Sequence, residues 1–472
     1  MRPSLGRKTP RNAAGAKMDS YERSSRRDVM RLGGLCGLSL GLPQLLEARE
    51  QKPVAAEGTF GRVKRVIMLY LHGGHPQQET FDPKPNGPSA VRGEFGAIAT
   101  SVPGVFFSEL LPHTAQLADK MAVIRSMTHD NPNHVQACLP ANTGHRHSAA
   151  VKTRGDFPPS DSDFPPFGAV LDHVKPNAAT LPTWVRVGPL MRRSNGTTLH
   201  GQLPGFLGAR HSSFVVDQSL MADDVEVESV RPADELTTLR LQSRRDLLRQ
   251  FDANRKRIDE AASAGSLNTF YERAFDLLTS KKTRQAFDLA AEQPATRERY
   301  GRTEFGQRCL LARRLVEAGV SMVNVSYCHT PSGSWDTHSK NFSKMKTSLA
   351  PTLDTAFSAL VNDLSERGLL NETLVVVNAE FGRTPAINKN AGRDHWPWVY
   401  SLAMCGAGVR PGVVHGSSDD SAAYPTSHPQ DPSDFAATLY HLLGVPADTV
   451  LHDSLNRPHQ LVIGRTINEV LL

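Results

Sequence analysis

Four stretches of the chain concentrate side chains that can bind metal or move protons. The first is His72-Gly73-Gly74-His75 with Glu79-Thr80-Phe81-Asp82. The second runs from His129-Asp130-Asn131-Pro132-Asn133-His134 to Thr143-Gly144-His145-Arg146-His147. The third is Ser334-Trp335-Asp336-Thr337-His338. The fourth is Glu380-Phe381-Gly382-Arg383-Thr384-Pro385 with Gly392-Arg393-Asp394-His395-Trp396. Imidazoles and carboxylates converging from several segments are what a zinc or manganese site requires. A divalent ion there would polarise an ester oxygen or acidify a water. Any one stretch alone is also what a solvated loop looks like, and Asp82 before Pro83 can simply shape a turn.

Several residues admit two readings. His134 is either a ligand, a nucleophile or transition-state donor, or a helix-start residue held by backbone groups. Arg383 suits an anionic group, or a structural salt bridge. Trp335, Trp396 and Trp398 can stack on sugar faces or pack the loops. No G-x-S-x-G elbow, Walker loop or G-x-G-x-x-G is present, which removes the commonest hydrolase, nucleotidase and dehydrogenase readings.

The elements that must position these groups are readable from apolar runs. Arg65 to Leu71 is continuously apolar after its first residue, as a strand buried on both faces should be. Val320 to Val325 and Thr373 to Ala379 read the same way. The helical patterns Gln307 to Ala318 and Leu349 to Arg367 precede them. Strand–helix alternation predicts an α/β fold with a largely parallel sheet, whose ligands gather at the carboxyl ends of the strands. Residues 217–300 show helical spacing of leucines and phenylalanines without a strand pattern, and are expected to form a helical insertion.

Of the 472 residues, 39% are hydrophobic and 22% charged, ordinary globular values. The net charge of +6 is confined to residues 1–56, with 11 Lys/Arg against 5 Asp/Glu; the remainder carries 43 of each sign. A neutral body offers no electrostatic case for nucleic acid. Arg26-Arg27 ahead of the weakly apolar, glycine-rich run Leu32 to Leu46 is the pattern of a twin-arginine signal. That run is too short to span a bilayer. Met18 is an alternative start, and Val54-Ala55-Ala56 a possible cleavage point. The expected organisation is a leader over 1–56 and one domain over 57–472, exported by the twin-arginine translocase to the periplasm or cell surface. Cys36 lies in the leader; Cys138, Cys309, Cys328 and Cys405 show no zinc-site spacing and are expected as small buried hydrophobes.

Thr80-Phe81-Asp82-Pro83-Lys84-Pro85, Arg299-Tyr300-Gly301-Arg302, Ala312 to Gly319, Trp335-Asp336-Thr337-His338, Glu380 to Pro385 and Gly392 to Trp396 together resemble the bacterial family catalogued as domain of unknown function 1501. Members of that family look related to the alkaline phosphatase/sulfatase superfamily. The resemblance implies a three-layer sandwich of that type. His134 to Gly144 is similar to the sulfatase segment that begins at the nucleophile, and Asp434 to Pro446 to the late sulfatase helix and turn. It implies that Asp336 and His338 correspond to a metal-binding Asp–His pair, Glu380 to the Asp of Asp-His-Gly, and His395 to a later metal-binding histidine. His72-Gly73 lies where a metal-binding Asp usually stands, a departure from the pattern; His72 and Glu79 are further metal-ligand candidates from the first stretch. Phe381 replaces a ligating histidine and His134 the nucleophile, so one ion is expected rather than two. That ion would be zinc, or else calcium or manganese. The implied activity is hydrolysis of sulfate or phosphate esters, on polysaccharides among other anionic substrates, with His134 at the reaction centre and Arg383 on the anion. The alternative is a non-catalytic glycan- or partner-binding protein on a degenerate hydrolase fold.

Overall fold

A computed structural model describes residues 58–147, 155–177, 181–230, 280–327 and 334–472, all within the unit Ala55–Leu472. The expected leader and residues 231–279 of the expected insertion lie outside the described residues.

Eight strands form the main sheet: β1 (Arg65–Tyr70), β2 (Met121–Met127), β3 (Trp184–Val187), β4 (Phe214–Val216), β5 (Met322–Ser326), β6 (Thr373–Asn378), β7 (Tyr400–Gly406) and β8 (Val413–His415). Their spatial order is β8-β2-β7-β6-β1-β5-β3-β4. β1 pairs in parallel with β5 and β6, in the registers Leu69↔Val325 and Leu69↔Val377. The run β6-β1-β5-β3-β4 is parallel throughout, and β7 alone runs against both its neighbours. The mixed α/β fold with a mostly parallel sheet is therefore the one the apolar runs predict.

Among the described residues, the helices that flank the sheet or its rim include α1 (His134–Thr143), α2 (Phe167–Val174), α3 (Glu304–Ala318), α4 (Ala350–Glu366) and α5 (Pro432–Leu442). Strand alternation sorts the last four into two layers. Val66 and Met68 of β1, with Met322, Leu374 and Val376, face a core shared with α2 and α5. Ile67 and Leu69, with Val323, Val325, Val375 and Val377, face the opposite core with α3 and α4. Burial on both faces explains why β1 and β6 are nearly continuous apolar runs rather than alternating ones, while β5 carries Asn324 at its centre.

Local chemistry ends these helices where the sequence dictates. Thr303 caps α3 by accepting from the Gly306 N–H, and α3 stops at Gly319, whose φ of +115° suits glycine. Asp431 and Asp434 form a capping box at the start of α5. Asn133 caps α1 by accepting from the Gln136 N–H, so the residue that follows, His134, begins the helix.

The described parts of 217–300 hold only short helical segments, including Lys281–Phe287 and Pro294–Arg299, and no strand. Val225, Val227, Val230, Phe287 and Leu289 are buried in the core beside α3 and α4, so the edges of this stretch belong to the main domain. Cys138, Cys309 and Cys405 are free and buried. Among the described residues no helix is long and apolar enough to cross a membrane.

Candidate functional site

Three adjacent parallel strands end at one rim. β1 runs into Leu71-His72-Gly73-Gly74, and β6 into Ala379 to Arg383. The segment Ser334 to His338 follows β5 in the chain and is laid against the β1 loop by the Trp335 N–H, which donates to the His72 carbonyl at 3.0 Å. β2 contributes a fourth approach through the loop that starts α1. A short antiparallel ribbon, Gly382–Arg383 with His395–Trp396, sets His395 opposite Arg383. Gly73 is obligatory in this packing. Its φ is +112°, and a Cβ there would lie 2.3 Å from the Asp336 nitrogen.

The focus of the site is one oxygen, Asp336 Oδ1. His134 Nε2 lies 3.3 Å from it, His338 Nε2 3.1 Å, His395 Nε2 3.2 Å and Arg383 Nη2 2.7 Å. His338 Nε2 and His395 Nε2 are 2.9 Å apart. His134, Asp336 and His395 each offer a donor atom within 4.8 Å of the others. Among the described residues, the buried His134 Nε2 has no hydrogen-bond partner; its approach to Asp336 does not meet hydrogen-bond geometry.

The far side of every ring is tied to an oxygen acceptor. His134 Nδ1 faces Glu380 Oε1 at 2.6 Å, His338 Nδ1 faces Asp394 Oδ1 at 2.6 Å, and His395 Nδ1 faces the Pro132 carbonyl at 2.7 Å. The Pro132 carbonyl can only accept, so His395 carries its proton on Nδ1, and carboxylates impose the same tautomer on the other two. All three Nε2 atoms thereby face the shared point beside Asp336, where a bound ion would take the place of the proton that His338 Nε2 gives to Asp336. That is the outer-sphere arrangement that orients histidine ligands.

Electrostatics follow the geometry. Burial pushes the Asp336 carboxyl up, but His134, His338, His395 and Arg383 outweigh it and hold it far below the usual carboxylate range. Burial likewise raises Glu380, and His134 together with His72 brings it to about 2. Burial lowers His395 and His72 each to about 4, so both are neutral near pH 7. His338 is raised, first by its hydrogen bond to Asp336 and then by Asp394.

The remaining sequence-predicted residues take other places. Glu380 is fully buried behind His134 and also accepts the Gly73 N–H at 2.8 Å. Glu79 is not beside the cluster's focus. It forms a fully buried ion pair with Arg393, 3.0 Å from Nε to both carboxylate oxygens. His72 is buried edge-on to His134, ring centroids 6.2 Å apart. Arg383, expected on an anion, is buried and donates to the carbonyls of Gly73, Gly74 and Arg393 as well as to Asp336. Trp335 is fully buried against Tyr327 and His75 and packs the core, whereas Trp396 and Trp398 are half-buried with centroids 4.5 Å apart. Asp394 and the Pro132 carbonyl carried no expected role. The adjacency Asp394-His395 was the one signal for the first, and a backbone carbonyl has none.

No curated protein matches this chain. Among solved structures it is similar to a Pseudoalteromonas sulfatase, at 14% identity over 85% of this chain and 70% of that one, with a TM-score of 0.39. It is also similar to a protein of the alkaline phosphatase superfamily from Vibrio parahaemolyticus, at 12% identity over 88% and 71%, TM-score 0.40. Residues 63–471, the two core layers and the whole of this rim included, match the family described as "Protein of unknown function (DUF1501)", and the chain belongs to that family.

Proposed function

We propose that this protein is a metal-dependent hydrolase of sulfate or phosphate esters, with one divalent ion held by His134, Asp336, His338 and His395. The observation that carries this reading is the set of three imidazoles whose Nδ1 atoms are each tied to an oxygen while their Nε2 atoms surround Asp336 Oδ1. The donor set fits such an ion. Two imidazole nitrogens 2.9 Å apart and a buried, unbonded His134 Nε2 are unfavourable unless a positive charge is shared among them. Three imidazoles and one carboxylate suit zinc or manganese better than calcium, which prefers oxygen donors. Bound there, the ion would supply Lewis acidity towards an ester oxygen.

The chain's own contribution is to hold and orient. Glu380, Asp394 and the Pro132 carbonyl fix the ring tautomers. Arg383 fixes Asp336 and, through the Gly73 and Gly74 carbonyls, the loop beneath it. In this reading His134 is a ligand, Glu380 and Arg383 are positioning residues, and Glu79 supports the fold around the site. His72 remains neutral at the rim beside Glu380.

The internal engagement of Arg383 favours the second reading, a protein that binds a glycan or partner without turnover. Incubating zinc- and manganese-loaded protein with 4-nitrophenyl sulfate, 4-nitrophenyl phosphate and a sulfated polysaccharide separates the two. Release of sulfate or phosphate that stops on chelation is the expected result. Retained polysaccharide binding with no release from any of the three would leave only the binding reading.

We further infer export, supported by Arg26-Arg27 before the Leu32 to Leu46 run. Replacing both arginines with lysine should leave the protein in the cytoplasm with its leader uncleaved, as seen by fractionation and immunoblotting. Periplasmic or surface accumulation of that variant would contradict twin-arginine export.

A further inference from the structure

Beyond the rim, a second group of imidazoles meets a carboxylate. His147 follows α1, Asp163 lies in the loop that leads to α2, and His200 follows the Arg192–Thr198 bridge. Each of the three offers a donor atom within 4.8 Å of the other two. His147 and His200 lie edge to face with centroids 4.5 Å apart, and Phe157 packs against both. α1 separates this group in the chain from His134. The helix has ten residues, roughly 15 Å of axial length.

We propose that His147, Asp163 and His200 form a separate binding site for a zinc-type divalent cation. The inference begins with His200, which is fully buried. Its Nε2 faces the Phe157 carbonyl at 3.1 Å, and a carbonyl can only accept, so Nε2 carries a proton. Its Nδ1 faces Asp163 Oδ2 at 2.5 Å. The carboxylate oxygen too can only accept, so with Nε2 satisfied the contact of Nδ1 with Asp163 requires a positive charge, a proton or a cation, between the two atoms. A second proton on His200 would satisfy that pair and nothing more.

His147 is what a proton leaves unexplained. Its Nε2 is buried and has no hydrogen-bond partner among the described residues, an expensive state for an imidazole nitrogen. One donor atom of each residue lies within 4.8 Å of the other two, so a cation among them would ligate His147, Asp163 and His200 together. The surroundings are those of a supported ligand set: Ser160 donates from Oγ to Asp163 Oδ1 at 3.1 Å, and the Phe157 carbonyl fixes the His200 tautomer. Two imidazoles and one carboxylate select zinc or a similar borderline ion over calcium or magnesium. The site would join three loops, one of which is anchored to α1 by the His200 N–H donating to the Val135 carbonyl at 3.2 Å. Its effect is structural, through preferential binding of the ion to the folded state.

This site stands independently of the catalytic reading, and the test separates them. Full-length protein carrying His395→Ala is stripped with a chelator and titrated with zinc by calorimetry, and its thermal unfolding is followed with and without zinc. The expected result is uptake of zinc that persists in this background and raises Tm by at least about 3 °C at zinc well above Kd. Adding His147→Gln should abolish both the uptake and the Tm rise while leaving the metal-free Tm close to that of the parent. Should His147→Gln not fold, Asp163→Asn serves as the second variant, with the same expectation. Absence of zinc uptake in the His395→Ala protein overturns the proposal. So does undiminished uptake in a folded His147→Gln or Asp163→Asn variant, because the ion would then sit elsewhere.

Discussion

His395→Ala is expected to lower hydrolysis by about three powers of ten, since an ion acting on a developing charge is worth several kcal/mol and each ~1.4 kcal/mol is tenfold. His395 Nε2 is one of three imidazole nitrogens gathered at Asp336 Oδ1, and no neighbouring side chain on the ribbon can replace it. The fold should survive, because the two apolar cores are built by the sheet and helices and include none of the cluster. Asp394→Asn, which leaves the ligands in place and weakens the support of His338 and the Asn388 contact, should cost roughly 10–100-fold in metal affinity or activity. Zinc titration and turnover assays, with far-ultraviolet circular dichroism as the fold control, read both variants. Wild-type turnover in folded His395→Ala protein, with no zinc equivalent lost relative to the wild type, would sink the assignment.

A pH dependence accompanies this. In the metal-free protein the close pair His338 Nε2 and His395 Nε2 must share a proton, and His338 is raised by Asp336 and Asp394. The stabilisation this proton brings is complete below the ordinary imidazole pKa and is lost as pH rises through the raised value. The ion competes with the same proton, so metal affinity should rise with pH over that window. Calorimetry in two buffers of different ionisation enthalpy would show the proton release. Identical apparent enthalpies in both buffers would rule it out.

The largest effect on stability is expected from Arg393→Met. Glu79 and Arg393 are both fully buried, and Arg393 also donates to the carbonyls of Val91, Thr384 and Pro385. Removing one partner of a buried ion pair costs about 3–5 kcal/mol, since the other charge is stranded. Glu79 is already raised by burial, with Arg393 opposing the shift, so losing Arg393 should raise it further. A carboxyl whose folded pKa lies above its unfolded value penalises the fold at high pH, and the penalty is relieved as pH falls through the folded pKa. The variant's deficit should therefore shrink on acidification, and Glu79→Gln in the same chain should restore part of it at neutral pH. Urea unfolding at two pH values measures this. A deficit below about 1 kcal/mol, the scale of exposed pairs, would show that the pair contributes no more than a surface one.

The same network reaches the site. The Arg393 N–H donates to the Thr337 carbonyl at 3.0 Å, between Asp336 and His338. Asn341 links Thr337 Oγ1 and Glu79. Arg393→Met should therefore loosen the loop that carries two of the proposed ligands, and zinc affinity should fall together with stability.

Much of the architecture was legible because of where these strands lie. β1, β5 and β6 are buried on both faces, so apolar residues dominate them, with Asn324 inside β5 accepting from the Trp184 indole N–H; the helix α4 shows the periodicity of one buried face, whereas α3 is buried around most of its circumference. β2 and β7 were less legible. β2 carries Arg125, whose guanidinium reaches the Phe106 carbonyl. β7 is the one reversed strand, and direction leaves no trace in composition. Asp336, His338 and His395 could be singled out because a loop after a parallel strand has one rim to occupy.

Which carboxylate would serve which cation could not be read from residue type. Glu79, Glu380, Asp336 and Asp394 have the same chemistry in sequence, yet their partners are respectively Arg393, His134, the ring of imidazoles with Arg383, and His338. Residue type determines what an atom can donate, accept or ligate. Which atom comes within 3 Å of it depends on packing between segments hundreds of residues apart, as His134 and Glu380 are, and only the tertiary structure decides that.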